Sequence, residues 1–117
     1  MSVQIPLLYM WDDTLDILKI RDKILKGEWV LSRHARIRAG QRCIRDFDLV
    51  IAIANGEIIE DYPEDQRGHS CLVLGHTKDG QPVHSVCAFD PSGTFVIITA
   101  YFPEPPKWKD PKTRGVN

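Results

Sequence analysis

The stretch SCLVLGHTKDGQPVHSVCAFDPSGTFVIITAY, residues 70–101, decides how the chain is read. It holds three runs rich in Val, Ile and aromatic residues, Ser70–His76, Val83–Phe89 and Thr94–Tyr101, and each suits a strand. Asp79-Gly80 separates the first two and is a two-residue hairpin signal. Asp90-Pro91-Ser92-Gly93 separates the second and third and carries turn chemistry. Links this short join antiparallel neighbours, because a parallel pair needs a long crossover. Glu57–Tyr62, just upstream, is a fourth strand candidate. A two-residue turn at Asp79-Gly80 would place Gly75 opposite His84. Alternation then sets His84 on one face with Val73, Val86 and Ala88, and His76 on the other with Leu74 and Ser85. In the last strand, Phe95, Ile97, Thr99 and Tyr101 would share a face.

Upstream of these strands the period changes to that of helices. Asp12 and Asp13 are N-cap candidates for a first helix whose Leu and Ile pattern (Leu15, Ile17, Leu18, Ile20, Ile24, Leu25) stops at Gly27. Its second half carries Lys19, Arg21, Lys23 and Lys26, cations that suit the helix dipole. Trp29-Val30-Leu31 reads as a short extended link. Ser32 caps a second helix, roughly Arg33 to Cys43, and Asp46 caps a third that ends at Asn55-Gly56. Helices first and strands after define an α+β fold, with about three N-terminal helices packed on a four-stranded antiparallel sheet.

The chain has 117 residues, of which 43% are hydrophobic and 26% charged. That is the size and composition of a single globular domain, 1–117, with the Pro- and Lys-rich 103–117 as an extended tail. No apolar run of about 18 residues occurs, so no membrane span is expected. Met1–Met10 lacks the basic start and small-residue cleavage site of a signal peptide. Cys43, Cys71 and Cys87 are odd in number and widely spaced. They suit reduced thiols and a cytoplasmic location. No cofactor motif stands out. His69, Cys71 and Cys87 match no standard metal spacing, and His76 and His84 are expected on opposite faces, so no metal site is expected.

The net charge of −1 conceals a pattern: residues 19–45 carry +7 and residues 46–67 carry −6. Within the basic block, His34, Arg38 and Arg42 recur every four residues and form one stripe along the second helix. Ala35, Ala39 and Cys43 form a stripe of small residues beside it, suited to close packing. Three such groups at neighbouring helical positions repel one another, and a bound anion would relieve that cost. Basic stripes also occur on solvated helices with no further role. Thr99 and Tyr101, at the exit of the last strand, could offer hydroxyls to the same anion, although both also suit a plain strand and its rim.

Leu31-Ser32-Arg33-His34-Ala35, followed by Arg38, Arg42 and Ile44, resembles the SxHAxxRxxxRxI signature of a bacterial domain of unknown function, the family numbered 4258. The resemblance continues through Asn55–Tyr62, Cys71–Gly75, Pro82-Val83-His84 and Ile98–Tyr101. Ala39 stands where Met is common, and Cys43 where Gly is common, which bears on how the second helix ends. The family resembles RelE- and MqsR-like toxin ribonucleases. That resemblance implies a RelE-like fold, RNA as substrate, and a zinc-finger antitoxin as partner. His34 would then be a general acid or base, Arg38 and Arg42 phosphate clamps, and His84, Thr99 and Tyr101 further members of the site. Cleavage would use the RNA 2′-OH and no metal. The alternative is a non-catalytic RNA- or protein-binding module of the same fold.

Overall fold

A computed structural model describes residues 15–66 and 68–115. Helix α1 spans Ile17–Leu25, strand β1 Trp29–Leu31, helix α2 Arg33–Gln41 and helix α3 Asp46–Ala54. Strands β2 (Glu57–Tyr62), β3 (Ser70–His76), β4 (Pro82–Phe89) and β5 (Phe95–Tyr101) follow. Two short strands, β6 (Trp108–Asp110) and β7 (Thr113–Arg114), close the chain. The described residues form an α+β architecture with three helices. The main sheet has five strands in the order β1-β5-β4-β3-β2, and β6-β7 form a separate pair.

The sheet differs from the four antiparallel strands expected. Trp29–Leu31 is not a link but an edge strand, paired parallel to β5 with Trp29 opposite Phe95 and Leu31 opposite Ile97. Three residues are too few to show a period, and the partner lies 66 positions away, so no local signal announces the pairing. The helices therefore do not all precede the strands. Residues 103–117, read as an extended tail, contain the β6–β7 pair, and Trp108 within it is buried.

The helix ends follow local chemistry. Asp12 and Asp13 lie outside the described residues; the observed cap of α1 is Asp16, whose carboxylate accepts from the Lys19 amide at 3.0 Å. Gly27 stops α1 at φ 73°, with Glu28 N–H bonded to Lys23 O and Gly27 N–H to Ile24 O. These bonds make a Schellman ending. Asp46 is the first residue of α3 rather than its cap. Arg45 holds the cap position, and Asp48 accepts from its amide at 2.9 Å. Arg21, whose charge was matched to its own helix, instead reaches Ala54 O and Gly56 O, both at 3.0 Å. It thereby satisfies carbonyls at the C-terminus of α3.

One face of the sheet packs against the helices. Ile20 and Ile24 of α1, Ala39 of α2, and Leu49, Ala52 and Ile53 of α3 meet Cys71, Val73, Val83, Cys87, Phe95, Ile97 and Ala100. Helix α3 sits so close to β3 that a Cβ on Gly75 would lie 1.6 Å from Ala52 O. Cys71 and Cys87 face each other across β3 and β4 as free thiols. Burial pushes the Cys71 thiol up to about 12, and that of Cys87 also well up. No described helix is long and apolar enough to cross a membrane.

Two register details set the opposite, outer face. The β3–β4 loop is longer than two residues: Leu74 pairs with His84 and Gly75 with Val83. His84 therefore shares its face with Leu72, Leu74, Val86 and Ala88, while Val73 faces the core. His76, paired with Pro82, lies on the same side as His84 rather than opposite it. In β5 a register shift places Val86 opposite Thr99 but Cys87 opposite Ile97, leaving Ile98 as the extra residue of a bulge. Phe95 and Ile97 thus face the core, and Thr99 and Tyr101 the outer side. The four do not share one face.

Candidate nucleic-acid interface

Helix α2 lies along β5, where β1 has ended. Its start is stapled to the bulge. The Ser32 hydroxyl accepts from Ala35 N–H at 3.0 Å and donates to Ile98 O at 2.8 Å, while Ser32 N–H bonds to Ile97 O at 3.0 Å. A bulge interrupts the ladder, and the N-cap hydroxyl supplies a partner for the Ile98 carbonyl. The far end of α2 is tied by Arg42, whose Nη1 reaches Ala100 O at 3.4 Å. Ala35 and Ala39 are buried on the packed side, as their small size suggested. Cys43 does not extend their stripe. It lies beyond the helix, exposed, at φ 59°. There it closes a Schellman ending, with Ile44 N–H on Ala39 O at 2.9 Å and Cys43 N–H on Gly40 O at 3.3 Å. A residue at positive φ in this place is where glycine is ordinarily favoured.

The stripe remains open. His34 and Arg38 are exposed and Arg42 is half-buried. Among the described residues, no carboxylate pairs with Arg33, His34, Arg36, Arg38 or Arg42. The cations of α1 contrast with them, since Lys23 bonds Glu28 and Lys26 bonds Asp22. The acidic segment does not cover α2 through β2, which lies at the opposite edge of the sheet. Three inter-strand spacings, about 14 Å, separate β2 from β5. The acids of β2 bind the C-terminal arm instead: Glu57 pairs with Lys112 at 2.7 Å and Glu60 with Arg114 at 2.8 Å.

The arm covers part of the outer face and encloses His84. This residue is fully buried, with Trp108 edge-on at 4.3 Å between ring centroids. Its Nε2 lies 2.6 Å from Pro111 O, so Nε2 carries the proton that it donates. Its Nδ1 then accepts from the Tyr101 hydroxyl at 3.2 Å. Burial lowers the pKa of His84, and the Pro111 carbonyl offsets this in part. Burial likewise raises Tyr101. Arg114 clamps Glu60 with two bonds, of 2.8 and 2.9 Å, and holds its carboxyl below the usual range. Tyr62 donates to the same carboxylate. Arg114 also stacks over Trp108 at 4.7 Å. Nothing in the sequence pattern linked residues 60, 84 and 114, because the clamp joins a strand to a tail 54 positions away.

Two cavities flank the stripe on the outer side. One, of about 380 Å³, has His34 and Ser32 on one wall, Asp90 on another, and Ala88, Val96 and Ile98 as apolar lining. The second, of about 290 Å³, is bounded by Arg42, Tyr101, Phe102 and the arm residues Glu104, Lys107 and Trp108. The structure thus gathers Arg42 and Tyr101 at one cavity and His34 at the other. Arg38 lies on the helix turn between them, and His84 is enclosed behind Tyr101. Thr99 shares the outer face. Sequence reasoning saw Asp90 only as a turn residue and missed its place on a cavity wall. Among the described residues, no group of three or more His, Cys, Asp or Glu is placed to hold a metal.

An α+β fold with a basic helix that has no acid partner among the described residues, seated along β5, defines the class. Residues 31–102 match the family described as Domain of unknown function (DUF4258), and the chain belongs to that family. The match covers α2, α3 and β2 through β5, and only Leu31 of β1. No curated protein and no solved structure matches the chain. The expected likeness to the RelE fold therefore has no matching structure behind it.

Proposed function

We propose that the chain is an endoribonuclease of the toxin type, acting without metal, cytoplasmic, and restrained by a partner such as a zinc-finger antitoxin. The observation that carries this reading is the stripe of His34, Arg38 and Arg42, with no acid partner among the described residues, beside the half-buried Val96, Ile98 and Thr99 of β5. RNA brings its own nucleophile, the 2′-OH next to the scissile phosphate. A site then needs a proton acceptor, a proton donor for the leaving 5′-oxygen, and cations for the charge on the phosphorane. His34 is the accessible imidazole of the stripe and takes or returns the proton. Arg38, and the part of Arg42 not engaged by Ala100 O, hold phosphate oxygens with the forked geometry of guanidinium. Thr99 lies on the same face and can donate a hydroxyl hydrogen bond, whereas the Tyr101 proton is already given to His84 Nδ1. His84 acts through Tyr101, as a positioning residue.

Incubation of the protein with RNA in EDTA should yield 2′,3′-cyclic phosphate and 5′-OH ends. His34→Ala should slow cleavage by about 10²–10⁴-fold. Absence of cleavage, or equal cleavage by His34→Ala, refutes the catalytic reading. One observation favours a second reading, a binding module for RNA: the His34 ring has no hydrogen-bond partner among the described residues to orient it. In that case His34→Ala leaves RNA affinity unchanged, whereas Arg38→Ala and Arg42→Ala weaken it and flatten its salt dependence.

A further inference from the structure

We propose that the cavity between His34 and Asp90 is a nucleobase pocket, selective for bases that carry an exocyclic amino group. The inference rests on reading the outer face as an RNA surface, and it assigns the part of the ligand that the cationic stripe does not. The cavity, of about 380 Å³, has room for one base. Ala88, Val96 and Ile98 give it an apolar lining against which a flat ring can pack. Its polar groups are unequal in availability. The Ser32 hydroxyl is used twice, by Ala35 N–H and Ile98 O. Asp90 Oδ1 accepts from Ser92 N–H at 2.9 Å, Ser92 Oγ at 2.6 Å and Thr94 N–H at 2.9 Å, and the Gly93 N–H also acts on the carboxylate. Its side chain is therefore held through Oδ1, and Oδ2 takes none of these three bonds.

The two ends of the cavity differ in charge. The Asp90 end offers an anionic acceptor and suits the amino group of cytosine, adenine or guanine. The His34 end adjoins Arg38, one helical turn or about 6 Å along the axis, and suits phosphate. A nucleotide carries the complementary arrangement, an N–H donor at the base edge and an anion at the sugar. Uracil presents a carbonyl where cytosine presents its amino group, and that carbonyl would face a carboxylate oxygen without a proton between them. An acceptor placed for an N–H rejects the analogue that lacks it, because both oxygens lose hydration without gaining a partner.

Titration of the full chain with cytidine and uridine monophosphates, followed by NMR shifts or calorimetry, tests the pocket independently of catalysis. The wild type should bind the cytidine nucleotide about 5–10-fold more tightly. Asp90→Asn retains an oxygen for the loop donors and offers an amide N–H in place of Oδ2, so the preference should vanish or invert toward uridine. Val96→Phe, which fills the cavity from an edge of its lining, should weaken both nucleotides while leaving Arg38-dependent RNA binding in place. Equal affinity for the two nucleotides in the wild type overturns the proposal, as does a cytidine preference that survives Asp90→Asn. Nucleotide selectivity without RNA cleavage supports the pocket and refutes the nuclease. Cleavage or RNA binding with no mononucleotide binding does the reverse.

Discussion

Replacing Gly75 by alanine places a methyl group where α3 already lies. The added Cβ would stand 1.6 Å from Ala52 O, 2.4 Å from Ala52 C and 2.9 Å from Ala52 Cα. Ordinary contact begins near 3.4 Å, so helix and strand must separate by about 1.8 Å at this point. The obstacle is helix backbone, which has no rotamer to change. Nor is the movement local, because Leu49, Ala52 and Ile53 are buried from the same helix and would lift with it. Overpacking of a core costs about 1–3 kcal/mol, and a backbone clash this deep belongs at or above the upper limit. A domain of this size is stabilised by about 5–15 kcal/mol, so the variant still folds but loses a large share of its margin. With a urea m value near 2 kcal/mol/M, the unfolding midpoint should fall by about 1.5 M. Urea titration followed by far-UV circular dichroism measures it. A shift under about 0.3 M at unchanged m would refute the close seating of α3 on β3.

Three further outcomes follow from the same contacts. The native pKa of His84 lies below its ordinary 6.5 because of burial, so the unfolded chain binds the proton more readily. Stability is then greatest above pH 6.5 and falls as pH drops below it; the urea midpoint should decline between pH 7.5 and 5, and His84→Gln should flatten that decline. Cys43→Gly relieves a side chain held at φ 59° and should stabilise by about 0.5–1 kcal/mol, read as a higher midpoint, whereas a loss would show that the Cys43 side chain contributes packing. Arg38→Ala should leave the midpoint unchanged and lower the slope of log K against log salt for RNA by about 1, and an unchanged slope would remove Arg38 from the phosphate contacts.

The strands were legible because β2 to β5 carry dense Val and Ile runs closed by turn residues, and their ends agree with the sequence reading to within one residue. Their faces were harder. Asp79-Gly80 signals a turn but not its length. Here Gly80 takes φ 84° as the third residue of a Lys78-Asp79-Gly80 loop, closed by Thr77 N–H on Gln81 O and Gly80 N–H on Thr77 O. One extra loop residue moves every side chain of the partner strand to the other face. The bulge at Ile98 has the same effect on Thr99 and Tyr101, and its staple is a serine 66 positions away. The stripe on α2 was legible because its spacing is local to one helix. The enclosure of His84 was not, because it depends on Trp108 and Pro111 folding back across the sheet.

Charge decides what remains for a partner. The segments of +7 and −6 are adjacent in sequence, and the simplest outcome would be mutual neutralisation. The fold keeps the acids of β2 away from α2 by placing β2 at one edge of the sheet, while α2 packs on β5 near the other. Glu57 and Glu60 are then matched by Lys112 and Arg114 of the arm, whose closure also buries His84 and Trp108. Lys112 and Arg114 of the arm are consumed in holding the fold, whereas the cations of α2 stay unmatched against the described carboxylates. Exposed ion pairs contribute little to stability, so leaving α2 unpaired sacrifices little. Its repulsions are relieved when an anion arrives, which makes binding stronger where the free protein is least satisfied. On the proposed reading, a polyanion laid along α2 would meet the half-buried Val96 and Ile98 of β5, where the apolar lining of the His34 cavity would receive what the charges cannot, the bases themselves.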